Sequence, residues 1–249
     1  MSGSDTKTYV INMASSAERR EDVRTTTSES GARWQFVRGF NGREMDADPR
    51  TATLLEPYKH LIGTTVASSI GKDGQRDSWK YDGTAATCFS NMQQHGHRGT
   101  KGLTLSNMWA MREATHDMGR DPGQKWACIA EDDAVLDKTT MGKVQGHLDT
   151  ATHPVVWLDD RGRGGTSMVC YTSEALQRAQ ADLHPLSAFA QEPPTCHTTG
   201  KAAGCRRSNL WDWFSVDLWD KEDLVEYHAV VESDDGTRYK STISSKKGS

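Results

Sequence analysis

Glu131, Asp132 and Asp133 are three consecutive carboxylates at the end of an apolar run, Trp126-Ala-Cys-Ile-Ala130, and an apolar triplet, Ala134-Val135-Leu136, follows them. So short an apolar run, entered through the turn Asp121-Pro122-Gly123, predicts a buried strand. Three acids packed together without partners would repel one another. They must be solvated, paired with cations or bound to a metal. Carboxylate oxygens are hard ligands that suit Mg²⁺ or Mn²⁺, ions that commonly arrive with a phosphate group. In open α/β sheets, ligands sit in the crevice outside the carboxyl ends of the strands. A solvated acidic turn is the plain alternative. Asp159-Asp160, at the end of a second apolar run, is a rival metal site, beside a Gly-rich Arg161-Gly-Arg-Gly-Gly165 stretch able to cradle phosphate.

These acids need a sheet to position them, and the chain supplies its strands in order. Thr8–Ile11 reads as a first strand, ending at Asn12. Ser15-Ser-Ala-Glu18 has the Ser-x-x-Glu form of a capping box and predicts a helix through Arg19, Arg20 and Arg24 to about Gly31. Trp34–Val37 reads as a second strand, closed by an Asn41-Gly42 turn; strand, helix, strand is the βαβ pattern of a parallel sheet. Residues 45–100 are irregular or inserted, with only Leu54–Ile62 resembling a helix. Thr104 is a plausible N-cap for a helix carrying Leu105, Met108, Trp109, Met111, Arg112 and Thr115, with Gly119 as its stop. Further strands are expected at Pro154–Leu158, Ser167–Tyr171 and Val225–Val231, with a helix capped by Thr172 and stopped by Pro185. The expected fold is α/β: one domain over residues 1–249, with a mixed, mostly parallel central sheet flanked by helices. Residues 1–7 and 241–249 are expected to be frayed.

Net charge is −4 and the basic residues are scattered, which argues against a nucleic-acid partner. No apolar run approaches the about 18 residues that suggest a bilayer span, and the opening Met1-Ser-Gly-Ser-Asp5 lacks a signal-peptide core. Neither a dinucleotide-binding Gly-x-Gly-x-x-Gly nor a P-loop is present. The cysteines number five, with no Cys-x-x-Cys pair. Cys128 and Cys170 fall within expected strands, where free thiols behave as small hydrophobes, so a reducing, cytoplasmic setting is the simplest inference. Cys196-His197, Cys205 and His184 match none of the usual zinc spacings. Residues 186–209, rich in Pro, Gly and Cys, read instead as a mobile loop.

Taken together, these landmarks resemble glycosyltransferase family 25, which includes bacterial lipooligosaccharide galactosyltransferases and collagen galactosyltransferases. Tyr9-Val-Ile-Asn12 with Glu18-Arg19-Arg20 resembles the family's opening segment, and Phe36-Val37 with Asn41-Gly42-Arg43-Glu44 resembles its next turn. Gly102-Leu-Thr-Leu-Ser106 with Trp109 is similar to its Gly-Cys-x-x-Ser-His helix, and Glu131-Asp132-Asp133-Ala-Val-Leu136 matches its acidic strand end. Val216-Asp217-Leu-Trp219, Tyr227-His-Ala-Val230 and Ser241-Thr-Ile243 resemble its late segments. Leu103 and Asn107 depart from the pattern, standing where the family has Cys and His.

The resemblance implies a Rossmann-like nucleotide-sugar-binding domain of glycosyltransferase A type. The implied reaction is metal-dependent inverting transfer of a hexose, galactose favoured, from a UDP-sugar to a glycan or protein hydroxyl, as in lipopolysaccharide (LPS) biosynthesis. Mn²⁺ or Mg²⁺ would neutralise the leaving diphosphate, with Asp133 as first ligand and Asp132 or Glu131 assisting. Asp217 is the candidate base that takes the acceptor proton, and Asp212 is the reserve. Asn12 and Arg19 could hold uracil or diphosphate, and Gly102 and Ser106 join them as donor-site residues or else shape and cap their helix. Trp211, Trp213 and Trp219 could stack on a sugar or serve as core anchors. With no membrane-spanning segment, peripheral membrane association fits the acceptor class. The competing functions are a nucleotidyltransferase-like enzyme and a non-catalytic family member that binds glycan or a partner protein.

Overall fold

The structure, a computed structural model, describes residues 5–70, 76–88, 98–160, 166–182 and 223–233. Its centre is a sheet of six strands: β1 Thr6–Asn12, β2 Arg33–Arg38, β5 Trp126–Glu131, β6 Val155–Asp159, β7 Met168–Tyr171 and β8 Val225–Val231. Their order across the sheet is β2-β1-β5-β7-β6-β8. The pairs β1–β2, β1–β5 and β6–β8 are parallel, and β7 runs antiparallel to both of its neighbours. The expected mixed, mostly parallel α/β architecture is what the chain forms.

Alternation along the strands builds two cores. Tyr9, Ile11, Ala127, Ile129, Trp157 and Tyr171 point to one face, where Leu105 and Met111 of α4 (Arg98–Arg120) and Leu176 of α6 (Ser173–Asp182) cover them. Val10, Cys128, Ala130, Val156, Leu158 and Cys170 point to the other. Val23 of α1 (Ala17–Ser28) and Met141, Val144 and Leu148 of α5 (Lys138–Thr150) cover that face. Strands apolar on both faces, such as the wholly buried β6 and β7, are what a sheet sandwiched between helices requires.

Several expectations need correction. Ser16, not Ser15, precedes α1, and it makes no side-chain cap hydrogen bond, so the capping box does not form. Thr6 and Lys7 belong to β1 rather than to a frayed end, and Lys7 Nζ lies 2.5 Å from Asp117 Oδ2. The segment 45–100 holds regular structure. It contains α2 (Pro49–Leu55), a 3-10 turn (Glu56–Leu61), an antiparallel hairpin of β3 (Thr65–Ile70) and β4 (Arg76–Lys80), and the short α3 (Ala85–Cys88). α4 begins at Arg98, so Thr104 is an interior residue and not a cap. Cys128 and Cys170, read as free thiols, face one another in the β5–β7 register and are joined by a disulfide. Two strands 42 residues apart in sequence cannot reveal their register, which is why composition alone gave the wrong state. No helix among the described residues is long and apolar enough to cross a membrane.

Candidate functional site

The chain leaves β1 toward β2 on one side and leaves β5 toward β6 on the other, so the strand order reverses between β1 and β5. In sheets of this kind, ligands bind at the carboxyl edge beside that reversal. The register pairs Ile11 with Glu131, which brings Asn12 and the acidic turn together at this edge. Asn12 Nδ2 donates to Asp132 Oδ2 at 2.7 Å, and Arg19 Nη1, from the first turn of α1, donates to Asp132 Oδ1 at 3.0 Å. The other end of the Asn12 amide accepts from Arg20 Nε at 2.9 Å, and Arg20 Nη2 donates to the Met13 carbonyl at 3.2 Å. Asn12 is 2% exposed and Arg19 9%, so this is a buried, specific arrangement and not a solvated acidic turn. Arg20 is a member that sequence reasoning passed over, although it stands within the Glu18-Arg19-Arg20 segment.

The neighbouring acids are held from the opposite side. Thr166 Oγ1 donates to Glu131 Oε1 at 2.5 Å, and the Glu131 N–H donates to the Ser167 carbonyl at 3.1 Å. The Ser167 N–H donates to Asp159 Oδ2 at 2.7 Å, and Asp159 is fully buried. Asp159 therefore anchors the entry to β7, while Asp160 beside it is exposed and gives its N–H to the Val231 carbonyl at 3.0 Å. Asp133 is half-buried within the turn itself. Beyond it, the Val135 N–H donates to the Glu232 carbonyl at 2.9 Å, and Ala134 bridges Ser233, so β8 clamps the far side of the acidic turn.

Gly102 and Ser106 lie one layer away. Ser106 Oγ donates to the Gly102 carbonyl at 2.6 Å and accepts the Phe40 N–H at 2.8 Å. A Cβ on Gly102 would lie 2.6 Å from the Phe40 carbonyl oxygen. The pair thus docks the turn that follows β2 onto α4, and the Gly39 N–H ties that turn to the Asn12 carbonyl at 2.9 Å. Arg50 completes the support, with its guanidinium 3.9 Å from the centroid of the Phe40 ring and Nη2 at 2.7 Å from Asp48 Oδ2. Hydrogen bonding from Arg50 holds the Asp48 carboxyl below its ordinary pKa. At the two departures from the family pattern, Leu103 is half-buried and Asn107 is buried, its amide donating to the Leu103 carbonyl at 3.1 Å.

Of the expected site residues, the fold brings Asn12, Arg19, Asp132, Glu131 and Asp133 to one edge and places Gly102 and Ser106 behind it. Asp212 and Asp217, the base candidates, lie outside the described residues, as do Trp211, Trp213, Trp219 and the 186–209 loop. Among the described residues, no three His, Cys, Asp or Glu side chains form a metal-binding group. Mg²⁺-like ions typically take only one or two carboxylates, with phosphate and water completing the shell. Glu131 and Asp133 have the hard oxygens for such a site; both oxygens of Asp132 accept from Asn12 and Arg19. No protein-family model matches the sequence. No curated protein is significantly similar to it either.

Proposed function

We propose that this chain is a metal-dependent inverting glycosyltransferase of glycosyltransferase A type, moving a hexose, galactose favoured, from a UDP-sugar to a glycan or protein hydroxyl. The observation that carries the proposal is the buried Asn12–Asp132–Arg19 constellation beside two further carboxylates, at the carboxyl edge where the strand order reverses. The carboxyl edge beside such a reversal is where α/β sheets bind nucleotide ligands. A bound Mn²⁺ or Mg²⁺ would act as a Lewis acid toward the departing diphosphate. Asp133 is its ligand, with Glu131 assisting, while Asp132 orients Arg19 and Asn12 toward the donor. The base that removes the acceptor proton is assigned to Asp217, with Asp212 in reserve, on the resemblance alone. Peripheral access to a membrane-borne LPS-type acceptor also rests on the resemblance, while the Cys128–Cys170 bond removes the free-thiol argument for a reducing, cytoplasmic setting.

Thermal melting with Mn²⁺ and UDP, UDP-galactose or nucleoside triphosphates tests the reading. A ligand at a hundred times its Kd adds about 2.7 kcal/mol, easily seen as a shifted midpoint. The expected result is a shift with UDP and UDP-galactose that needs the metal and disappears in Asp133→Asn. Preference for a nucleoside triphosphate would favour a nucleotidyltransferase, and no shift with any nucleotide would favour a binding protein.

A further inference from the structure

At the opposite end of the α5–β8 seam from the acidic turn, three histidines gather around one glutamate. His147 on α5 stacks on His228 of β8, with ring centroids 4.0 Å apart and the planes 30° from parallel. His228 Nε2 lies 3.6 Å from Glu226 Oε2, and His153 Nδ1, in the turn between α5 and β6, lies 3.9 Å from the same oxygen. Glu226 Oε1 accepts the Thr152 N–H at 3.0 Å and the His153 N–H at 3.4 Å. Glu226 is therefore anchored by backbone donors at one oxygen, with two imidazoles near the other. These groups lie within the described residues, where no three side chains form a metal-binding group, so the cluster carries no metal site.

We propose that His147, His228, His153 and Glu226 form a pH-sensitive latch between α5 and β8, closed when His147 is neutral and weakened when it is protonated. The geometry sets the direction. A single carboxylate can neutralise one imidazolium, yet two rings approach it and a third stacks on one of them. If both stacked rings carried a charge, two like charges would sit about 4 Å apart. Among the described residues, the charged or titratable groups that act on His147 from other elements are His228 and Glu226 of β8; on its own helix Lys143 stands one turn earlier. Burial lowers the His147 pKa, repulsion from His228 lowers it further, and Glu226 opposes both. A histidine whose pKa falls on folding contributes stability that is complete above its unfolded value of about 6.5 and is lost as pH drops through the lower folded value. The consequence reaches the candidate site, because the carboxyl end of β8 clamps Ala134 and Val135 of the acidic turn.

The test uses the full chain without ligand and does not depend on the proposed transferase activity. NMR titration of the imidazoles should find His147 titrating below about 6.5. The thermal midpoint should fall between pH 7.5 and pH 5, and His147→Gln, which cannot take a charge, should lose less of it over that range. Backbone amides of β8 and of residues 134–136 should exchange faster at the lower pH, after correction for intrinsic rates, in the parent and less so in the variant. His147 titrating at or above 6.5 would overturn the latch. So would an equal fall in midpoint for parent and variant. If His147→Gln fails to fold, the titration of the parent decides alone.

Discussion

Asp132 sits between an amide and a guanidinium, and each of its oxygens receives one of them. The Asp132 and Arg19 side chains are 12% and 11% exposed, so the pair has been taken largely out of water. Breaking such a pair by removing one partner leaves a charge without compensation, which typically costs about 3–5 kcal/mol. Asp132→Ala should therefore destabilise the protein by roughly that amount in urea unfolding. Replacing both partners, Arg19→Met with Asp132→Leu, should cost clearly less, because with both gone no charge is left stranded. A double variant as unstable as the two single changes summed would mean that Asp132 and Arg19 are not coupled. The contrast with Asp133 separates a structural acid from a ligand: Asp133→Asn should unfold like the parent yet lose metal-dependent UDP binding. Sequence reading found all three acids and both partners, but only the packing of α1 against the strand end shows which acid the arginine engages.

At the scale of elements, what was legible followed from apolar pattern, and what was missed lacked one. β8 is found at the residues expected, Val225–Val231, because Val and Tyr recur along it between turn residues. β3, with the sequence Thr-Val-Ala-Ser-Ser-Ile, offers no alternation to read, and its hairpin with β4 forms a separate two-stranded sheet. The start of α4 was misplaced because Arg98, Gly99 and Thr100 carry no helical apolar stripe, while buried Leu105 and Met108 further on do. Glycines in the helices make this level testable. Gly146, within α5, has no atom near an added Cβ and no positive φ, so Gly146→Ala should stabilise by about 0.5–1 kcal/mol. Gly102→Ala enjoys the same helical preference but meets the Phe40 carbonyl at 2.6 Å and the Gly42 nitrogen at 3.0 Å. Two backbone atoms cannot yield as a flexible side chain can, so overpacking of about 1–3 kcal/mol should prevail. Opposite signs in chemical denaturation are the expected outcome. A stabilised Gly102→Ala would mean that the 39–42 turn is not seated on α4.

Across the whole molecule, the six-stranded sheet divides into β2-β1-β5, all parallel, and β7-β6-β8, entered through the antiparallel strand β7. The β5–β7 pairing is the join between these halves, and the acidic turn leaves from its edge. Cys128 and Cys170 link the two strands covalently across that join, in a layer where both are fully buried. Closing 42 residues of chain limits the unfolded ensemble, and bonds of this kind contribute about 2–4 kcal/mol. Peptide mapping without reductant should recover the Cys128 and Cys170 peptides joined. Unfolding in urea should show the Cys128→Ala/Cys170→Ala variant less stable than the parent by about that amount when the parent is oxidised. Under strong reductant applied in denaturant before refolding, most of that difference should vanish, since the parent then lacks the bond as well. A remaining gap of about 1 kcal/mol or less would be the methyl-for-thiol packing change in a close-packed layer. Separate Cys128 and Cys170 peptides, or a variant equal in stability to the oxidised parent, would show that the two halves are held by strand pairing and core contacts alone.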